Sequence, residues 1–110
     1  MDIQSKEVVS SGYYEEHLVE ILEYSIDTFG YAQSHKYFNI ISQHVERLDI
    51  YYTCYPECRH LETKSRKYRN IILDAHLIIY RITDERIEVL DIIHSASSIR
   101  KIRGVRKIHL

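Results

Sequence analysis

An α+β fold in a single domain, helices first and strands after, is what the sequence predicts. Three observations carry that prediction. Residues 12–48 repeat apolar side chains with a helical period. Residues 68–94, YRNIILDAHLIIYRITDERIEVLDIIH, hold three apolar runs parted by two short polar breaks. The chain of 110 residues, 45% hydrophobic with three glycines and one proline, suits one folded domain with one core. Together they predict an antiparallel two-helix hairpin packed on a small antiparallel sheet, followed by a short basic C-terminal tail.

A short strand is expected at Ile3–Val9, and Ser10-Ser11-Gly12 reads as a helix start. Tyr14, Leu18, Ile21, Leu22, Ser25 and Phe29 then recur on one helical face. Glu15, Glu16, Glu20, Glu23 and Asp27 occupy the rest of that helix. Gly30 stands where a C-terminal cap belongs, because glycine alone enters positive φ freely. The second helix carries Ala32, Phe38, Ile41, Val45 and Leu48 as its stripe and ends within Tyr51–Pro56. So short a link makes the two helices an antiparallel pair.

Val, Ile and Tyr dominate 68–73, 76–82 and 87–94, with turns at 74–75 and 83–86. Strands joined so closely run antiparallel. Arg59–Lys67 is expected to add a more polar strand before them, and the tail after His94 to form a short helix or a loose arm. Symmetric turns set Ile82 opposite Ile87 and Leu73 opposite His76. Period-two alternation then sends Ile78, Tyr80, Val89, Asp91 and Ile93 to one face. Leu77, Ile79, Arg81, Glu88, Ile92 and His94 go to the other. The first face is richer in apolar residues and is assigned to the helices; the second is expected to stay open to water. Arg81 and Glu88 lie opposite each other there, as an exposed pair contributing at most ~1 kcal/mol.

Net charge is only −1, but residues 1–57 carry ten acids against three Lys/Arg, and residues 58–110 six acids against twelve. The last sixteen residues, SASSIRKIRGVRKIHL, hold five Lys/Arg and no acid. Such asymmetry either steers an acidic partner or nucleic acid toward one end, or is no more than a solvated tail. No apolar run approaches the ~20 residues of a membrane helix. MDIQSKEVVSSGYY lacks a basic region followed by an apolar stretch, so neither a secretory leader nor a membrane partner is expected. The cytoplasm is the expected location.

Among residues with chemistry to offer, Cys54, Cys58 and His60 form C-x3-C-x-H. A closed zinc site needs four ligands and the pattern has no second pair, so free thiols and no metal or other cofactor are expected. His94 at a strand end suits general acid/base work or a structural hydrogen bond. His76 and Arg69 either bind phosphate or flank a helix–sheet seam. Tyr51, Tyr52 and Tyr55 suit helix packing or a protein partner, and less readily base stacking.

The order YYEEHLVEILEYSIDTFG, a second helix, P-E-C-R, Y-R, H-L-I-I-Y-R-I and I-E-V-L-D-I-I-H resembles the RelE/ParE superfamily of bacterial toxins. The resemblance runs from about Tyr14 to His94. It implies a helical hairpin on a small antiparallel sheet, encoded in a toxin–antitoxin (plasmid stabilisation) operon and held inactive by a cognate antitoxin. One branch cleaves messenger RNA on the ribosome with basic residues, tyrosine or histidine on the open sheet face. The other poisons DNA gyrase.

Carried over position by position, the ribonuclease arginine of the penultimate strand falls on Leu77, and the basic cluster after the last strand on Ser95-Ala96-Ser97-Ser98. Neither supplies the cation or acid/base pair that phosphodiester cleavage needs. The resemblance therefore implies a non-enzymatic, ParE-like toxin directed at gyrase, with a ribosome-dependent ribonuclease using Arg81, His94 and the tail as the alternative. A degenerate toxin retaining only an interaction role is a third reading. Arg59, Arg69, Arg81, His94, Arg100, Lys101 and Arg103 are the expected contacts to target or antitoxin, with assembly as a homodimer or a toxin–antitoxin hetero-oligomer.

Overall fold

The computed structural model describes residues 4–110. Strand β1 (Glu7–Ser10) leads into helix α1 (Gly12–Phe29), α2 (Tyr31–Glu46) and the single turn α3 (Leu48–Tyr51). Strands β2 (Tyr68–Ile72), β3 (His76–Ile82) and β4 (Arg86–His94) follow, and helix α4 (Ile99–Gly104) with a 3₁₀ turn (Val105–Lys107) closes the chain. The sheet order is β1-β4-β3-β2, with β2, β3 and β4 antiparallel and β1 parallel to β4. Of the strand expected at Ile3–Val9, Glu7–Val9 lies in β1, and Ile3 lies outside the described residues.

The α1 start is built as its sequence implies. The Ser11 hydroxyl oxygen accepts from the Tyr14 N–H at 3.0 Å, and the same hydroxyl donates to the Leu90 carbonyl, tying the cap to β4. Gly30 ends α1 at φ +88°, and its N–H donates to Ile26 C=O. Ser34, buried in the next turn, bonds Ser25 across the hairpin at 2.8 Å, so small residues set the close approach of the two helices. Phe29 departs from the expected stripe: it is 60% exposed at the end of α1.

No strand forms over Arg59–Lys67. His60 (φ +70°) and Arg66 (φ +53°) both adopt the left-handed region, which breaks an extended run. That segment instead folds back, with Glu57 Oε2 accepting from the Thr63 N–H and a lone bridge joining Glu57 to Arg69. The fourth strand of the sheet comes from the N-terminal side, as β1.

The predicted pairs Ile82–Ile87 and Arg81–Glu88 are observed. Beyond them the register slips. Tyr80 pairs with Val89 but Ile79 with Asp91, leaving Leu90 as the extra residue of a β-bulge. A slip of one residue exchanges faces. Ile92 therefore joins the helix-side core with Ile71, Ile78, Tyr80 and Val89, while Ile93 packs with Leu90 and Ile79 on the opposite side. Asp91 turns to α1, where its carboxylate meets His17 Nδ1 at 2.6 Å. His94 ends up opposite His76.

The second face is not open. Ile102 and Val105 of the C-terminal segment, with Cys58 and Leu61 of the folded-back loop, cover it in a second core that includes Leu90 and Ile93. The tail after His94 is thus a packed element. Its helix shows Ile102 inward, and its basic residues Arg100, Lys101 and Arg103 face solvent. Two layers flank the sheet where the sequence suggested one.

Candidate functional site

Burial sorts the sequence-predicted residues first. Arg81 and Glu88 pair at 2.8 Å with side chains only 12% and 9% exposed, so the pair is largely withdrawn from water, contrary to the wet-face expectation. Arg86 adds a second bridge to Glu88 at 2.9 Å. Burial pushes the Glu88 carboxyl up, but hydrogen bonds and charge from Arg81 and Arg86 win and hold it below its ordinary value. Arg81 spends its other donors on the Tyr68 hydroxyl and, at 3.0 Å, on the Ile108 carbonyl. It is a clip that fastens the C-terminal segment to the sheet. Arg69 is likewise occupied, donating to the carbonyls of Arg66, Thr53 and Tyr55 and so gathering the loop before β2. Arg59 is exposed on that loop.

His94 lies at the other end of the strands. Arg81 and His76 are five residues apart on β3, and His94 pairs with His76. At ~3.3 Å per residue, Arg81 and His94 are separated by roughly 17 Å. They do not form one site.

What does gather at the His94 end is a groove of ≈ 660 Å³ between the helix hairpin and the β2–β3 turn. Ile21, Tyr24, Phe29 and Tyr37 line its apolar wall, and Glu20, Asp74, His76 and His94 supply its polar atoms. Tyr24 and Phe29 are 68% and 60% exposed. The Tyr37 hydroxyl shares a 2.7 Å hydrogen bond with His76 Nδ1. Burial first, then Asp74, raises the Tyr37 pKa, so this phenol stays protonated. Burial, and secondarily the neighbouring His94, keeps the His76 imidazole below its ordinary pKa. His94 Nδ1 accepts from the Ala96 N–H at 3.0 Å, which places the proton of its neutral ring on Nε2. The two rings stand edge to face, centroids 5.9 Å apart. Lys101 of α4 lines an adjoining cleft with His17, His76 and His94. Of the predicted residues, then, His94 and Lys101 come together, and Arg100 and Arg103 lie exposed on the same helix.

At the far end of the sheet a second groove, ≈ 740 Å³, brings Lys6, Lys67, Arg69 and Arg106 around Thr53, Ser65 and Thr83. Lys6, Lys67 and Arg106 escaped sequence reasoning because they lie far apart in the chain. The parallel β1 pairing, the Lys6 Nζ bond to the Thr83 carbonyl at 2.6 Å and the Arg81–Ile108 clip bring them together.

The tyrosine cluster resolves into packing for two of its three members. Tyr52 is buried, Tyr55 bonds His44 and meets the Tyr80 ring edge-on, and Tyr51 is exposed. Cys58 is buried, with its thiol pushed up to about 11 by burial and then by Glu62 and Glu57, so it is unreactive at neutral pH. Cys54 is exposed.

A helical hairpin laid on a small, mostly antiparallel sheet defines an α+β domain. Residues 8–99 match the family described as "ParE toxin of type II toxin-antitoxin system, parDE". The chain belongs to that family, the ParE toxins of type II toxin–antitoxin systems. Among solved structures it is similar to a chain of the "Chromosomal ParDE TA system from P. aeruginosa", with a TM-score of 0.68. That alignment covers 83% of this chain and 97% of the other at 16% identity, a likeness of fold. No curated protein matches by sequence.

Proposed function

We propose that this toxin acts by binding DNA gyrase, without catalysis of its own, and that a cognate antitoxin neutralises it through the apolar groove. The observation that carries the first part is the fate of Arg81. A ribonuclease needs a cation free to meet the developing phosphorane charge. Here Arg81 is neutralised by Glu88 and lies roughly 17 Å from His94 at ~3.3 Å per residue. Leu77, at the position matched to the ribonuclease arginine, packs against the second core.

The neutralisation reading rests on Tyr24 and Phe29, aromatic side chains left in water beside Ile21 and Tyr37. Such a groove suits the apolar face of a partner helix. The exposed Arg100, Lys101 and Arg103 give an acidic, initially disordered antitoxin segment a field to follow.

One observation favours the ribonuclease alternative: His76, His94 and Lys101 share a cleft and would supply an acid, a base and a cation. Glu20 and Asp74 also line this end of the molecule and repel a phosphate backbone, so binding without catalysis is the stronger reading. The purified toxin should inhibit gyrase supercoiling in proportion to its concentration, and antitoxin should restore it. Full supercoiling activity at a large excess of folded toxin would reject the gyrase target.

A further inference from the structure

We infer that the basic groove at the far end of the sheet binds the phosphodiester backbone of duplex DNA. Lys6, Lys67, Arg69 and Arg106 converge there, and among the described residues none has a carboxylate within salt-bridge distance. Asp84 is the one acid in the lining. The hydroxyls of Thr53 and Ser65 stand among the cations, while that of Thr83 is spent on the Arg86 carbonyl at 2.8 Å. Cations interleaved with hydroxyl donors form the chemistry that positions phosphate oxygens.

Two further observations select duplex DNA from other anions. None of the exposed large hydrophobic side chains lines this groove, so an acidic peptide would find charge but no apolar anchor. The apolar groove at the opposite end is the reverse case. Tyr68, the groove's aromatic ring, is buried under Lys67 and Arg81, whose cations lie 5.5 and 5.8 Å from its centroid. It offers no platform for an unstacked base, as single-strand binding requires. Backbone charge without bases is what a duplex presents from outside. The half-buried Arg81 serves here as a positioning residue, since its bond to Ile108 holds the segment carrying Arg106 against the groove. This inference stands apart from the identity of the toxin's target, because it concerns a surface the apolar groove does not share.

The test is fluorescence anisotropy of the full chain with a labelled mixed-sequence DNA duplex across about 50–200 mM salt. At about −0.9 per phosphate contact, four cations should give the plot of log affinity against log salt a slope of roughly −3.6. A Lys67→Ala, Arg106→Ala double variant, both positions being exposed, should fold normally and flatten that slope by about two. The Arg100→Ala, Lys101→Ala, Arg103→Ala variant on α4 should leave it unchanged. A slope insensitive to Lys67 and Arg106 would overturn the inference. So would a polyglutamate peptide competing as well as unlabelled duplex, or single-stranded RNA binding more tightly than the duplex.

Discussion

The two ends of the sheet are made by the same strands and have opposite surface chemistry. Where β3 starts and β4 finishes, aromatic side chains and an imidazole pair border a groove with acids on its rim. Where β3 finishes and β4 starts, four cations and three hydroxyls line a groove with no exposed large hydrophobic residue. The difference shows that a count of basic residues says little about which are available. Arg81 is neutralised and Arg69 is occupied by carbonyls, whereas Lys67 and Arg106 are free to meet a ligand.

The harshest way to break this comparison is to remove the clip. Arg81→Ala leaves Glu88 with Arg86 as its remaining cation and cuts the tie to Ile108, and it should destabilise the fold by about 3 kcal/mol or more in urea titrations. A loss under about 1 kcal/mol would return the pair to the exposed class. Replacing both partners with Met and Leu should cost far less, because no charge is then stranded.

Next in size is the second core. Ile102→Ala should cost about 2–4 kcal/mol, since Ile102 is 7% exposed and packs beneath the basic face of α4. A negligible change would mean the tail is a loose arm after all.

A Tyr24→Ala, Phe29→Ala variant separates binding from folding. Both side chains are exposed, so stability should move by about 0.5 kcal/mol or less. Antitoxin affinity, by contrast, should fall at least tenfold, an effect of about 1.4 kcal/mol read by calorimetry. Unchanged affinity would place the antitoxin elsewhere.

The smallest expected effect is titration at the imidazole pair. With its folded pKa lowered by burial and His94, His76 is protonated first in the unfolded chain as pH falls below about 6.5. Its contribution to stability is therefore full above that pH and is progressively lost from there down through the folded pKa. The fall in melting temperature between about pH 7.5 and 5.5 should be shallower in His76→Gln than in the parent. An equal or steeper fall in the variant would contradict the assigned direction.

Period and capping carried the hairpin, the three antiparallel strands and even the Ile82–Ile87 and Arg81–Glu88 pairs into view from sequence, because each is a local pattern. What escaped was non-local. The bulge at Leu90 leaves no mark in an unbroken apolar run, yet it exchanges the faces of Ile92 and Ile93. The second layer was hidden because α4 buries only Ile102, with Val105 just beyond it, behind a run of cations. His94 and Lys101 stand out in the sequence as candidates, but their company with Tyr37 and His76 depends on how α2 crosses the end of the sheet.

The central claim, that this ParE-family chain poisons a topoisomerase and cuts no RNA, meets its most direct test in cells. Wild-type and His94→Ala chains are induced in parallel, with plasmid topology and messenger RNA 5′ ends mapped from the same cultures. Altered supercoiling and arrested replication are expected in both, with no ribosome-dependent cuts in either. Cuts that appear with the wild type and vanish with His94→Ala would contradict it, and would make the imidazole pair an active site.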